Sequence, residues 1–301
     1  MIKDQTILIL GAGASVPYGF PTGNEMIQIV LTKLISGKNS WIPQLCEYFK
    51  IDEGHIEKFK ASLKQSDQPS VDAFLERRPE FLEVGKLTMA LAILTSEKPD
   101  SLLNKITEND NWYKYLFLKM DSPRFSDWAK NNIAIITFNY DRSLEEYLFQ
   151  RLKHSHGMSD SDCATQLSMI KIVHVHGSLG PLPWQASDGK AYTPSYSIED
   201  LKKASSNILV ISDPQKTSNE FERAYDLILK AKQIFFLGFG YYKVNLNRLR
   251  INDLPKDIYK DGTSVGLYQS DVITIRQEWG IDLRYQSGNC LEYLRNEATL
   301  K

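Results

Sequence analysis

The sequence predicts an α/β fold: a mostly parallel, doubly wound sheet carrying an inserted helical module. Short apolar runs rich in β-branched residues recur at 6–10, 133–138, 170–175, 208–211, 234–237 and 264–268. Their apolar residues are continuous rather than alternating, the pattern of strands buried on both faces. Helix-like stretches separate several of them, as at 142–153 and 219–232. Strands alternating with helices indicate a parallel sheet.

The first run stops abruptly in Gly11-Ala-Gly-Ala-Ser15 and passes through Val-Pro-Tyr-Gly19-Phe-Pro-Thr-Gly23 into a helical stretch near Asn24. A strand, a glycine-rich turn and a helix in succession present backbone N–H groups to a phosphate. Gly11 and Gly13 would let the main chain approach a pyrophosphate with no Cβ in the way. Two established phosphate patterns fail here. The dinucleotide fingerprint G-x-G-x-x-G/A meets Val16 at its third glycine, and no acidic residue lies between Glu25 and Glu47 to take a ribose. The loop G-x-x-x-x-G-K-[ST] meets Pro17 where its lysine belongs. A nucleotide bound here is held in a third manner.

More than a hundred residues separate the first two runs, with helix signals and no strand signal. Ser70 stands as an N-cap before Val-Asp-Ala-Phe-Leu-Glu, Pro79 sits where a first helical position falls, and Phe81, Leu82, Val84, Leu87, Leu91 and Leu94 follow at mostly helical spacing. Residues 40–128 therefore read as a helical module within a single domain spanning 1–301. The segment 178–206, with Trp184 and Tyr192, reads as a loop excursion near the site. With only a short stretch after the last run, no added effector domain is expected.

Of the 301 residues, 42% are hydrophobic and 24% charged, which suits a soluble globular chain. A formal net charge of −1 provides no global attraction for nucleic acid or an anionic membrane. Cys46, Cys163 and Cys290 are scattered, which argues against a disulfide framework or a zinc ribbon and fits a reducing compartment. The N-terminus lacks a signal-peptide run, and the apolar stretches at 133–138 and 234–239 are too short to span a bilayer. A cytoplasmic protein is expected.

Polar motifs follow three of the runs: Thr137-Phe-Asn-Tyr-Asp141, His174-Val-His-Gly-Ser178 and Gly238-Phe-Gly-Tyr241. Strand carboxyl ends line the crevice where open α/β sheets bind ligands. Asn, Asp and His supply amide, acid and base groups able to position water or a hydroxyl. Each also has a structural reading: Asn139 or Asp141 as the cap of the helix near 142, His176 as a satisfied core histidine, Gly238 and Gly240 as turn residues. Strand alternation places His174 and His176 on one face, with only His176 bordering the Gly177 turn.

In order and placement, G-A-G-A-S, T-F-N-Y-D, H-G-S and G-x-G resemble the motifs of the sirtuin superfamily, G-A-G-x-S, T-Q-N-x-D, H-G-[SA] and G-[ST]-S. The resemblance runs from Gly11 to Gly288-Asn-Cys-Leu291, which is similar to the adenine-side loop, and it implies a Rossmann-like sheet. Ser70-Val-Asp-Ala-Phe-Leu-Glu, Arg78-Pro-Glu-Phe and Phe236-Leu-Gly-Phe-Gly-Tyr resemble the bacterial sirtuin-like branch of antiphage defence, whose members hydrolyse NAD. Two departures from deacylating sirtuins favour that branch. Thr22 replaces the acid of the G-I-P-D-F-R loop, and the four zinc cysteines are absent, so no zinc is expected.

The resemblance implies NAD as substrate. Gly11, Ala12, Gly13 and Ser15 would hold the pyrophosphate, with Thr22, Asp141, Gly238, Gly240, Asn289 and Cys290 lining the rest of the cradle. Asn139 would hold the nicotinamide-side ribose and orient water, and His176, with its ordinary pKa of about 6.5, would act as general base. Asp141 would orient Asn139 or bind the leaving side. The products are nicotinamide and ADP-ribose, with NAD depletion as the defence. Because such activity endangers the host, it implies gating by homo-oligomer assembly or by a HerA-type ATPase partner, with the helical module as assembly surface. The rival readings are a deacylase or ADP-ribosyltransferase, and a non-catalytic NAD or ADP-ribose sensor or DNA-acting subunit; direct nucleic-acid binding stays open.

Overall fold

Three apolar strands that stop at the same level create the platform for the site. In the computed structural model, which describes residues 1–210, 214–284 and 286–300, the strands are β1 (Thr6–Leu10), β2 (Ile133–Thr137), β3 (Lys171–His174), β4 (Gln233–Leu237) and β5 (Tyr259–Gly262). They form one parallel sheet in the order β3-β2-β1-β4-β5. In register, Leu10 lies beside both Thr137 and Leu237, so the turns leaving β1, β2 and β4 emerge side by side. The strand order reverses at central β1, which opens a crevice at the carboxyl ends.

Helix α1 (Gly23–Lys33) follows β1. Before β2 come α2 (Ile42–Phe49), α3 (Glu53–Gln65), α4 (Val71–Arg77), α5 (Leu82–Leu94), α6 (Pro99–Leu103) and α7 (Trp112–Met120). Helices α8 (Ser143–His156) and α9 (Asp160–Ser168) join β2 to β3. Then follow α10 (Ile198–Asn207), α11 (Pro214–Ile228), α12 (Lys243–Arg248), α13 (Gln269–Trp279) and α14 (Cys290–Asn296).

Successive strand residues feed opposite cores, as the period of two requires. Leu8, Leu10, Ile135, Phe235 and Leu237 pack with residues of α1 to α8, whereas Ile7, Ile9, Ile136, Ile234 and Phe236 pack with Phe221 of α11, Leu246 of α12 and Val272 of α13. Helix α5 is apolar around nearly its whole circumference and is buried accordingly, with α1, α4 and α10 against it.

Several expectations need correction. No strand occupies 208–210, and Ile211 lies outside the described residues. Leu209 N–H instead donates to the His176 carbonyl at 2.8 Å, a single tie beyond the sheet. The run at 264–268 is a loop whose Val265 and Tyr268 are 67% and 76% exposed. The fifth strand is the polar Tyr-Lys-Asp-Gly before it, an edge strand that escapes an apolar search. In it, buried Asp261 accepts bonds from Gly262 N–H at 2.6 Å and Tyr259 hydroxyl at 2.9 Å. The excursion at 178–206 contains α10, capped by Ser197 with Asp200. The helix expected over 219–232 starts earlier and ends at Ile228. Pro79 opens a three-residue 3₁₀ turn (Pro79–Phe81) rather than α5 itself.

Candidate functional site

The crevice above β1 and β4 widens into a cavity of about 540 Å³, within the range of roughly 300–1,000 Å³ that small-molecule sites use. All twelve residues singled out in the sequence line it: Gly11, Ala12, Gly13, Ser15, Thr22, Asn139, Asp141, His176, Gly238, Gly240, Asn289 and Cys290. Their surroundings differ from the sequence expectations in instructive ways.

The glycine turn is built against the loop that follows β4. A Cβ on Gly11 would lie 2.5 Å from Gly238 O, and one on Gly13 would lie 2.9 Å from Gly238 Cα. Gly238 has φ +55, and a Cβ there would overlap Ala14 N. These glycines thus serve backbone-on-backbone packing. Gly11 and Gly13 donate their N–H groups to Leu237 O and Gly238 O, both at 3.0 Å, while Ala14 and Ser15 donate within the turn. The turn continues as two 3₁₀ segments, Ala12–Ala14 and Val16–Tyr18, and α1 begins only at Gly23. Among the described residues, Ala12 and Val16 N–H keep no internal acceptor, so a phosphate would meet these two donors rather than a whole helix N-terminus. Trp112 of α7 braces the turn by donating Nε1–H to Ala14 O at 2.8 Å, and Tyr113 stacks on Tyr18 with ring centres 3.6 Å apart.

Asn139 sits just past the end of β2 and is 8% exposed. Its Nδ2 donates to Gly11 O at 3.0 Å and Ser15 Oγ at 2.9 Å. The carbonyl partner fixes which amide atom is nitrogen. The amide oxygen is left without a partner among the described residues. Asn139 is not the cap of α8. Asp141 performs that task, accepting from both the N–H and the hydroxyl of Ser143. Burial pushes the Asp141 carboxyl above its ordinary value, while hydrogen bonds from Ser143 and Ser15 oppose the rise.

The two histidines, expected on one face of the strand, part company: His174 meets Glu145 of α8 and His176 meets Phe221 of α11. His174, at the end of β3, touches Asn139 O with Nδ1 at 2.9 Å and Glu145 Oε1 with Nε2 at 2.6 Å. Burial pulls its pKa down, but Glu145 and the Asn139 carbonyl outweigh that, and it rises above the ordinary histidine value. His176, two residues on, lies beyond the strand among Phe138, Tyr140 and Phe221, with ring centres 5.4–6.3 Å away. It is 4% exposed, and its Nδ1 has no partner among the described residues. Burial pushes its pKa below the ordinary value rather than leaving it there, so the ring is neutral near pH 7; Asp72 opposes the shift and Arg248 adds to it.

The remaining residues close the cavity. Thr22 caps α1 in a reciprocal box with Glu25, its hydroxyl donating to Glu25 Oε2 at 2.8 Å. Asn289 caps α14 and donates to Asn109 O and Asp110 Oδ1, both at 3.2 Å, which ties the last helix to the segment before α7. Burial pushes the Cys290 thiol up to about 12, leaving it unreactive. Sequence reasoning missed Asp72, Tyr140, Phe239 and Tyr242 as cavity residues. Tyr140 and Phe239 stood inside the quoted motifs, and Asp72 stood inside Ser70-Val-Asp-Ala-Phe-Leu-Glu, where it was read only as part of a helix; it arrives from α4, and no spacing rule connects it to β2. Among the described residues, no group of three or more His, Cys, Asp or Glu side chains is placed to hold a metal ion, and no helix is long and apolar enough to cross a membrane.

Residues 133–258 match the family described as SIR2-like domain. The matched stretch carries Asn139, Asp141, His176, Gly238 and Gly240, and it ends just before β5. The match supports a sirtuin-like superfamily member and, with the five-stranded parallel sheet, is consistent with an NAD-related activity. No curated protein matches the chain.

Proposed function

From a chain whose residues 133–258 are SIR2-like, we propose an NAD hydrolase that cleaves the nicotinamide–ribose bond. The observation that carries this reading is that the Asn139 amide and a neutral His176 line one cavity, the Asn139 oxygen and the His176 Nδ1 both without a partner among the described residues. The bond between ribose C1′ and the nicotinamide nitrogen breaks, and its electron pair leaves on that nitrogen, which becomes neutral. Positive charge passes to the ribose, water adds at C1′, and the displaced proton goes to His176. Asn139, held by Gly11 and Ser15, keeps its oxygen fixed toward a ribose hydroxyl or the water. The products are nicotinamide, ADP-ribose and a proton.

Uncontrolled hydrolysis would empty the cell of NAD, so the proposal includes gating by self-assembly or by a partner. A HerA-type ATPase and a role in antiphage defence are the forms favoured by the motif resemblance. The test is incubation with NAD, alone and with a HerA-type ATPase added, followed by product chromatography. Free ADP-ribose and nicotinamide in equal amounts are expected. Loss of a general base typically slows a reaction about 10²–10⁴-fold, so Asn139→Ala and His176→Ala should each remove detectable turnover. Modified protein without free ADP-ribose, or an unchanged rate in either variant, would sink the reading.

A further inference from the structure

Among the described residues, three carboxylates line the cavity, and two of them are engaged. Asp141 accepts from Ser143, and Asp110 accepts from Thr107 Oγ1 at 2.5 Å and Asn289 Nδ2 at 3.2 Å. Asp72, half-buried in the first turn of α4, has neither hydrogen bond nor ion pair among the described residues. Its position is fixed by packing. A Cβ on Gly23 would lie 2.8 Å from Pro69 O and 3.1 Å from Ser70 Cβ, so the start of α4 rests directly on the start of α1. Ser70 then caps α4 by accepting Ala73 N–H at 3.4 Å.

Two buried polar atoms on the cavity wall also lack partners among the described residues: His176 Nδ1 and the Tyr140 hydroxyl, on rings 6.3 Å apart and 4% and 8% exposed. Burial dominates both groups, raising the Tyr140 hydroxyl and lowering His176; the Asp72 charge adds to the first shift and opposes the second. Unsatisfied buried polar atoms are rare in folded proteins and call for a ligand or water. A carboxylate without a partner among the described residues adds negative charge to a cavity whose walls include the aromatic Phe138 and Phe239, while Arg248, which also acts on His176, is paired with Glu76 at 3.3 Å.

Resting on the NAD-cleaving reading, we infer that Asp72 is a further catalytic residue, whose carboxylate stabilises the positive charge that develops on the ribose as nicotinamide leaves. In NAD that charge begins on the pyridinium ring and moves to C1′ and the ring oxygen as the bond breaks. A fixed anion in a partly dehydrated pocket follows that charge better than water does. Tyr140 and His176 supply the neutral hydrogen-bonding groups beside it. No other residue is required to change its protonation state for this role.

The test compares wild type with Asp72→Asn and Asp72→Glu under the conditions in which wild type turns over. Removal of one preorganised electrostatic group typically lowers the rate on the order of 10²-fold, and Asp72→Glu should recover part of that loss. Binding is measured alongside, using NAD and NADH, whose dihydronicotinamide ring is uncharged. Wild type should favour NAD, and Asp72→Asn should erase that preference while melting at an unchanged temperature. Wild-type turnover and an unchanged preference in Asp72→Asn would overturn the assignment and leave the hydrolase reading standing. A wild type that neither binds nor cleaves NAD would remove both.

Discussion

At the scale of single residues, the two histidines near the end of β3 carry opposite shifts, and this has measurable consequences. His174, raised by Glu145, should titrate above a free histidine, and His176, lowered by burial, should titrate below one. Histidine-labelled NMR resolves the two. The raised group contributes stability that is fully present below the unfolded pKa and fades as pH rises through the folded one. The lowered group contributes stability present above the unfolded pKa, lost as pH falls through its folded value. His174→Gln should therefore lose most stability at acid pH and approach wild type in alkaline solution, as read from urea midpoints. Turnover that depends on neutral His176 should stay flat through neutrality and fall only below the ordinary histidine range of about 6.5. A fall centred at or above that value would contradict the lowered pKa. Asn139 and His176 were legible because each follows an apolar strand directly. Asp72 was not, since only tertiary packing of α4 on α1 brings it to them.

Among elements, the meeting of the β1 and β4 turns is the most demanding contact. Gly238→Ala combines a left-handed backbone with an overlap on Ala14 N. The two effects together should destabilise the chain by about 2–5 kcal/mol, and NAD affinity should fall with it. Gly240→Ala, which meets only the side chain of Tyr242, 52% exposed, should be far milder. Thermal melts of both variants decide the order. Trp112→Phe keeps most of the ring but orphans Ala14 O, a loss of roughly 1–3 kcal/mol. Its larger expected effect is a looser turn, seen as a raised KM. The sequence displayed β1, β2 and β4 because they are buried on both faces and hence continuously apolar. It hid β5, whose exposed edge requires no such run, and it offered 264–268 as a decoy in which Val265 and Tyr268 face solvent and only Leu267 packs against the core.

For the whole molecule, a buried ionic cluster fastens the excursion before α10 to the rest of the chain. Arg142 pairs with Glu97 at 2.7 Å and donates to the carbonyls of Gly180, Pro181 and Lys190, while Lys190 reaches Glu97 at 3.3 Å. Glu97 and Arg142 are both essentially inaccessible. Removing one partner of such a pair strands the other charge, so Glu97→Ala should lose about 3–5 kcal/mol, measured by denaturant unfolding. Glu97→Met with Arg142→Met should recover part of it, short of full recovery because three carbonyls lose their donor. No sequence pattern announces this cluster, whose members stand 45 and 93 residues apart. Those long separations bear on when the cavity comes into being. Its walls draw on β1, α4, the ends of β2 and β4, and Asn289, and the central strand finds its second neighbour only at residue 233. A ribosome-bound chain lacking that stretch has no complete crevice, so the hydrolysis proposed for it would begin only once synthesis has passed the fourth strand and the start of α14.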